Sequence, residues 1–261
     1  MNIIVMSLFA GVVGMGLGGL FTAILGSRTD RMISIFLSFA GGVMVSVVLL
    51  ELIPEAIEYS NVAVAILGLA MGALMVLVLH NIMDKISGAG KSKSKLHGTY
   101  AEFFHQDEII SKKKSMLRSG MVMLFAIGLH NIPEGLAMGA AGVHDAGLGL
   151  TIAIIIALHN IPEGMAVSAP LIAGGLSKTK SVILILLVGA TTAIGAILGV
   201  VIGGISDTAL ALSFSIAGGA MLYVVFGEIL PQSIVTNKDR VPTVFALVGT
   251  VVGMLLTEII G

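Results

Sequence analysis

The chain has 261 residues, of which 56% are hydrophobic and 11% charged, and its formal net charge is −1. Its mean hydropathy of +1.06 lies well above the range of soluble globular proteins and indicates an integral membrane protein. The chain has no cysteine, which excludes disulfides and thiolate metal sites, so a soft metal would have to bind His or Met.

Eight apolar runs follow one another, and each has about the 20 residues that a helix needs to cross a hydrocarbon core. Because backbone polar groups must be satisfied inside lipid, we predict a helix for every run. The first run has no Lys or Arg before it and continues for a full span, which favours a transmembrane helix over a cleaved signal peptide. The predicted spans are 3–26, 32–57, 62–83, 119–141, 147–172, 181–205, 208–234 and 242–260.

All 14 Lys and Arg residues lie in the links after spans 1, 3, 5 and 7, which share one side of the membrane. The positive-inside rule makes that side cytoplasmic, so we expect both termini outside. The longest link, 86–118, is rich in Lys, Ser and Gly and is predicted to be a flexible cytoplasmic loop. Its His97 and His105 lack close ligand spacing and are more typical of ordinary loop residues, although a metal-sensing role stays open.

Two segments of the chain repeat without a gap. FAGGVMVSVVLLELIPEAI from Phe39 matches IAGGAMLYVVFGEILPQSI from Ile216, which pairs Glu51 with Glu228. The same offset places span 1 on span 6 and span 3 on span 8. Partners five spans apart cross the membrane in opposite directions, so we predict an all-α protein in a 3+2+3 arrangement, with inverted repeats around a central pair. Such repeats are typical of alternating-access transporters.

The central pair, spans 4 and 5, carries the same polar hexapeptide twice, in LHNIPEGLAMGA from Leu129 and in LHNIPEGMAVSA from Leu158. In each copy the His and the Glu are four residues apart and share one helical face, with the Asn on the adjacent flank. Pro133 and Pro162 lack an N–H, so a kink is expected there and carbonyl oxygens are freed. Both motifs fall halfway along their spans. The candidate ligands at this depth are His130, Asn131, Glu134, His159, Asn160 and Glu163.

A divalent cation would explain these buried polar groups. One carboxylate at mid-bilayer costs about 3 kcal/mol, and two facing carboxylates also repel. Two imidazoles and two carboxylates suit zinc above all, with iron, manganese, cobalt and cadmium as alternatives. The amides and the bridging capacity of the carboxylates leave room for a second ion. The alternative is that His, Asn and Glu bond only to one another and hold two kinked helices together, but two copies at matching depth favour metal.

Further candidates lie outside the motif. Glu51, toward the outer end of span 2, and Glu228, toward the inner end of span 7, could mark the two mouths of an ion pathway, or each could cap a proline kink. Met44 lies near mid-depth, where a thioether could contact a soft ion, although Met in a helix is usually packing. His80 and Asp84, four residues apart, are predicted to form a hydrogen-bonded pair at the inner interface.

The two HNIPEG copies in adjacent spans, the eight helices and the polar link after span 3 resemble the ZIP (Zrt/Irt-like) divalent-metal transporters, in their bacterial branch. The resemblance covers essentially all of residues 1–261 and implies a single transmembrane transporter domain. It implies uptake of zinc and related ions through a binuclear site, with spans 4 and 5 moving together as a rigid body. It implies a first ion on His130, Glu134, His159 and Glu163, and a second on Asn131, Glu134, Asn160 and Glu163.

Met44 matches a span 2 methionine that contacts metal in some relatives. Many relatives also have a Glu in span 6, where ATTAIGA places Thr192, so the second site is expected to be weaker or absent.

Two other functions compete with transport by a carrier. A selective ion channel also uses a charged midplane site. An intramembrane zinc hydrolase would need a metal-activated water and a separate carboxylate, but the chain has no HExxH and its ligand set is duplicated. We therefore expect a transporter and no enzyme, with no cofactor, since the metal is the substrate. The expected partners are divalent metal ions and the lipid of the cell (inner) membrane, with no nucleic acid, and a homodimer stays open.

Overall fold

The computed structural model describes residues 2–25, 29–86, 109–144, 146–202 and 206–260. All regular structure within these ranges is helical, and eight helices are apolar and long enough to cross a membrane. The all-α, multi-pass prediction is therefore confirmed. The helices are α1 (Ile3–Leu25), α2 (Asp30–Tyr59), α3 (Val62–Ile86), α4 (Ile109–His144), α5 (Ala146–Ala173), α6 (Lys178–Gly189 and Thr191–Ile202, joined at Ala190), α7 (Asp207–Thr236) and α8 (Val241–Ile260).

Helix α4 begins at Ile109, well before the predicted start of span 4 at residue 119. Residues 109–118, predicted as the end of a flexible loop, are therefore helical. The reason lies in packing: Met116 is buried, and Leu117 contacts Gly174 at the end of α5. Apolar side chains that follow the three lysines thus extend the helix beyond the predicted membrane span. Residues 87–108, which include His97 and His105, lie outside the described part of the chain.

Both α2 and α7 contain a π-helical turn, at Val48–Leu52 and at Val225–Ile229. These turns occupy equivalent positions of the sequence repeat, and the glutamate is the fourth residue of each. Pro54 and Pro231 follow and cannot donate a backbone hydrogen bond, which favours a local widening of the helix. The repeat is thus present in the backbone as well as in the sequence, whereas the inverted 3+2+3 relation stays a prediction.

Glycines bring helix backbones into close contact, and their contacts divide the helices into two groups. The first group is α1, α4, α5 and α6, and the second is α2, α3, α7 and α8. In the first, a Cβ on Gly18 would overlap the Ile161 carbonyl of α5. In the second, a Cβ on Gly42 would overlap the Ala246 carbonyl of α8. At every described glycine that touches another helix, the nearest atoms belong to its own group.

Longer side chains form the interface between the two groups. Helix α2 packs against α5, and α7 packs against α4. Phe21 of α1 meets Phe36 of α2 edge to face with ring centroids 6.1 Å apart. The Gln232 Nε2 of α7 donates to the Met116 sulfur of α4 over 3.4 Å. The helices that carry the HNIPEG motifs therefore belong to the first group and face α2 and α7 of the second.

Candidate metal centre

The two HNIPEG motifs lie inside α4 and α5, and both helices continue through Pro133 and Pro162. Each helix is held against its own group by glycine, since Gly135 contacts the Thr192 carbonyl of α6 and Gly164 contacts the Met15 carbonyl of α1. These contacts leave little freedom for either helix to rotate. The motif side chains are consequently held between the two helices and their neighbours.

All six candidate side chains are removed from solvent. None is more than 2% exposed, which is unusual for carboxylates because burial without compensation destabilises the charged form. The burial places the polar groups in the low-dielectric interior of the bundle. The buried set is His130, Asn131, Glu134, His159, Asn160 and Glu163.

The imidazoles and carboxylates pair reciprocally between the helices. His130 Nε2 of α4 lies 3.2 Å from Glu163 Oε1 of α5, and His159 Nε2 of α5 lies 3.2 Å from Glu134 Oε1 of α4. The contact within α4, from His130 Nε2 to Glu134 Oε1, is longer at 3.6 Å. One ligand atom each of His130, Glu134 and Glu163 falls within a 4.8 Å cluster, and His159 joins it through Glu134. The structure thus brings together the four residues predicted as primary ligands.

Many polar atoms of the centre have no hydrogen-bond partner among the described residues. These are the second carboxylate oxygens of Glu134 and Glu163 and both imidazole Nδ1 atoms. An unsatisfied buried polar atom costs about 1 to 3 kcal/mol. The free oxygens, together with imidazole nitrogens, form a donor set that suits a borderline divalent ion such as zinc. The residues therefore fit a metal substrate.

The asparagines lie on the side of the centre that faces α1 and α6. Asn131 Nδ2 donates to the Val188 carbonyl of α6 over 3.3 Å, while its Oδ1 and both amide atoms of Asn160 have no partner in the described ranges. Gly14 of α1 lies against the Cβ of Asn160. Thr192 is fully buried, and its carbonyl contacts the glycine that follows Glu134. Its Oγ1 lies next to Gly11 of α1 and has no hydrogen-bond partner among the described residues. The side chains of the motifs that face this side are therefore neutral amides.

The other candidates lie on the second helix group. Met44 is fully buried in α2, the helix that packs against α5, and its role as a ligand stays a prediction. Glu51 is close enough to His159 and Glu134 to interact with them electrostatically, and its buried Oε2 has no hydrogen-bond partner among the described residues. Glu51 thus lies within electrostatic range of the centre.

Glu228 has a different environment from its repeat mate. Its Oε1 lies 2.9 Å from His80 Nδ1 of α3, and both side chains are partly exposed. The prediction from sequence had paired His80 with Asp84, whose side chain lies outside the described part of the structure. Nothing in the sequence predicts the contact between His80 and Glu228, except that both residues are expected near the inner ends of spans 3 and 7.

Two features of the centre, a hydrogen bond and a pocket, were not predicted from the sequence. One is the Val188 carbonyl that accepts from Asn131. The other is a small pocket beside His159 between α2, α5 and α8, for which the sequence gives no signal. The residues that line it are Val47, Ile155, Leu158, His159, Leu256 and Thr257.

Comparison of the sequence with known proteins identifies the family of the chain. A family model described as ZIP Zinc transporter matches residues 1–261. The chain belongs to the ZIP zinc transporter family. The resemblance predicted from the motifs is confirmed, as is the expectation of a transporter rather than an enzyme.

Individual ZIP relatives match over most of the chain. Zinc transporter ZupT of Akkermansia muciniphila is 32% identical over 276 residues, covering 99% of this chain and 97% of the relative. Zinc transporter ZupT of Chlorobium chlorochromatii is 31% identical, covering 97% and 94%. Zinc transporter GufA of Myxococcus xanthus is 35% identical over 144 residues, covering 55% and 57%. Membership of the ZIP family and eight spanning helices together identify a multi-pass membrane protein that transports divalent metal ions.

Proposed function

We propose that this chain takes up divalent cations, zinc first, into the cytoplasm through the centre between α4 and α5. The observation that carries the proposal is the pair of reciprocal contacts, His130 with Glu163 and His159 with Glu134, in a site at most 2% exposed. Two buried carboxylates repel each other, and a dication between them offsets both the repulsion and the burial cost. The relatives named zinc transporters support zinc as the first substrate.

The donor set supports two adjacent ion positions. Two imidazoles and two carboxylates form the primary position, which suits zinc and also iron, manganese, cobalt and cadmium. The amides of Asn131 and Asn160 and the same two carboxylates form the neighbouring position. Met44 is proposed to contact a soft ion from the α2 side, because its thioether is fully buried near the predicted mid-depth.

Alternating access is the mechanism we propose for passage. Close backbone contacts at glycines hold the helices of each group together, whereas no described glycine has its nearest atoms on the other group. Side-chain interfaces can slide or re-pair more readily than interlocked backbones. The group that holds the centre can therefore move as one body against α2, α3, α7 and α8.

The ends of the pathway are assigned from the repeat and the charge distribution. Glu51 is proposed to receive ions on the outer side, since its carboxylate acts electrostatically on His159 and Glu134. Glu228, paired with His80, is proposed to lie on the cytoplasmic side. The basic links are placed in the cytoplasm, so the chain lies in the cell membrane with both termini outside.

Zinc uptake into proteoliposomes tests the proposal. The wild-type protein is expected to give saturable uptake that cadmium, cobalt, iron and manganese compete for, while His130→Ala is expected to abolish high-affinity uptake. Glu58→Gln is the matched control because Glu58 is exposed at the end of α2. Unimpaired uptake by a protein carrying both Glu134→Gln and Glu163→Gln would refute the assignment of the centre.

A further inference from the structure

One hydrogen bond of α7 reaches across the boundary between the two helix groups. Gln232 Nε2 donates to the Met116 sulfur of α4 over 3.4 Å, and each of these side chains is 4% exposed. The same Nε2 donates to Thr236 Oγ1, one turn further along α7, over 3.1 Å. Because a thioether is a weak acceptor, the bond between the groups is the weaker of the two. The carboxamide is therefore held on α7 and can release α4.

This contact lies on the side of the metal centre where α5 ends. The residue after Met116 contacts Gly174, at the end of α5. Met116 precedes His130 of the centre by about 21 Å along α4, at 1.5 Å per residue. Basic links follow α5 and α7, so the charge distribution predicts that this side is cytoplasmic. Gln232 thus meets Met116 between the centre and the predicted cytoplasm.

An aromatic contact joins the two groups on the same side. Phe21 of α1 packs edge to face on Phe36 of α2. Gly14 and Gly18 of α1 contact successive turns of α5 in chain order, so α1 runs parallel to α5 and Phe21 lies toward the end of α5. One polar and one aromatic contact therefore bridge the groups on the predicted cytoplasmic side.

A pocket between the two groups lies on the opposite side of the centre. It adjoins His159 and is lined by α5 of the first group and by α2 and α8 of the second. Ile155, which lines it, precedes His159 in α5, so the pocket extends from the centre toward the beginning of α5. The groups are thus separated by a pocket where the ion would enter and are joined by side chains where it would leave.

We infer that Gln232 is a positioning residue for transport, which holds α7 against α4 on the cytoplasmic side and must separate from Met116 before the ion leaves. The inference rests on the proposed function and adds a residue that controls the exit. Gln232 acts through Met116 and does not touch the ion. Because only one weak hydrogen bond is lost when the groups separate, the carboxamide keeps its partner on α7 in the open arrangement.

The labelling rate of a buried thiol tests whether Gln232 keeps this side closed. The chain has no cysteine, so Ser119→Cys introduces a single thiol. Ser119 is 5% exposed, lies between Met116 and the centre along α4, and its hydroxyl has no hydrogen-bond partner among the described residues. In the full-length protein in detergent, Gln232→Ala should raise the rate of labelling by a maleimide about fivefold, because the lost contact favours separation. Met116→Ala should do the same, and the double variant should add little, since both substitutions remove one contact.

Ser233→Ala is the matched control. Ser233 is the next residue of α7 and is fully buried, but its Oγ donates to the Ser34 carbonyl of α2 over 2.9 Å, within its own group. The control should leave the labelling rate unchanged. An unchanged rate in Gln232→Ala, or an equal rise in Ser233→Ala, would overturn the inference.

A reversible cross-link tests whether the contact must break during transport. Met116→Cys with Gln232→Cys, joined by a short bis-methanethiosulfonate reagent, links the two groups. Ser34→Cys with Ser233→Cys replaces hydroxyls 3.0 Å apart and forms a disulfide within one group. The first link should abolish zinc uptake into proteoliposomes, and reduction should restore it, whereas the second should leave uptake unchanged. Uptake through the first link would overturn the inference even if Gln232→Ala does not fold.

Zinc binding distinguishes this inference from the proposed function. Gln232→Ala should bind as much zinc at equilibrium as the wild type, because Gln232 lies far from the ligands. A loss of bound zinc in that variant would indicate a purely structural role and overturn the inference alone. No zinc binding by the wild-type protein, or binding that Glu134→Gln leaves unchanged, would contradict the proposed function and the inference with it.

Discussion

Glu134→Gln separates a metal ligand from a purely structural group. Glu134 is 2% exposed, and its Oε1 lies 3.2 Å from His159 Nε2 and 3.6 Å from His130 Nε2. Glutamine keeps the volume and one oxygen of the side chain but removes its negative charge. The change therefore tests the charge of Glu134 with little disturbance of packing.

The expected loss of zinc affinity follows from burial. Removal of one partner from a buried charge pair costs about 3 to 5 kcal/mol, which weakens binding about 150- to 5,000-fold. We expect the upper half of this range, because neither Glu134 nor Glu163 is accessible to screening water. The metal-free protein should be as stable as the wild type or more stable, since the substitution also removes the repulsion between these two carboxylates.

Circular dichroism at increasing temperature measures both effects, and it suits a chain that has no tryptophan. Zinc at one hundred times its Kd should stabilise the wild-type protein by about 2.7 kcal/mol. The same zinc concentration should leave Glu134→Gln almost unchanged. Glu58→Gln, at an exposed position, should respond as the wild type does.

The opposite pattern would refute the reasoning. If Glu134 only held α4 and α5 together, its substitution would lower the stability of the metal-free protein, and zinc would stabilise neither protein. A zinc-dependent rise in melting temperature of the same size in the wild type and in Glu134→Gln would likewise exclude Glu134 as a ligand.

Three further predictions concern packing, the pathway and pH. Gly18→Val should destabilise the protein by about 3 kcal/mol or more, because its Cβ would overlap a backbone carbonyl. Gly128→Ala is the control and should have the melting temperature of the wild type, since the nearest atom to its Cβ is 3.8 Å away. Glu51→Gln should slow zinc uptake into proteoliposomes while the zinc bound at equilibrium stays within about threefold, because Glu51 lies within electrostatic range of the centre but is not among its proposed ligands. An unchanged uptake rate would contradict its place in the pathway. Zinc affinity in dialysis should fall between about pH 7.5 and pH 5.5, since protons compete for the imidazoles, and equal affinity at both values would argue against histidine ligands.

The sequence predicted which polar side chains lie together because the signals for them are local. The spacing of His130 and Glu134 on one helical face, and the second copy at the same depth, are fixed by helix geometry. The pairing itself was not predictable from that geometry. The spacing favours contacts within a helix, yet the His130 to Glu163 contact between helices is the shorter one. The rotation of α4 against α5 decides this, and glycine contacts with α1 and α6 set that rotation.

Other features depend on tertiary packing that a single sequence does not show. Glycine spacings such as Gly195 and Gly199 predicted close helix contacts but not the partner, which is α4. Pro54 indicated a disturbance in α2, but not that the helix widens into a π turn before it. The lysines after residue 111 suggested a loop, whereas burial of Met116 maintains a helix there.

The division of the helices by glycine contacts also has a consequence for how the protein opens locally. Regions that share interlocked backbones should exchange their amide hydrogens together, because one cannot separate without the other. Hydrogen exchange would then show two sets of helices, each with similar protection. Helix α1 would exchange together with α4, α5 and α6, and helices α2 and α3 would exchange together with α7 and α8. Some helices that are adjacent in sequence, such as α1 and α2, would thus differ in protection, while distant helices, such as α1 and α5, would share it.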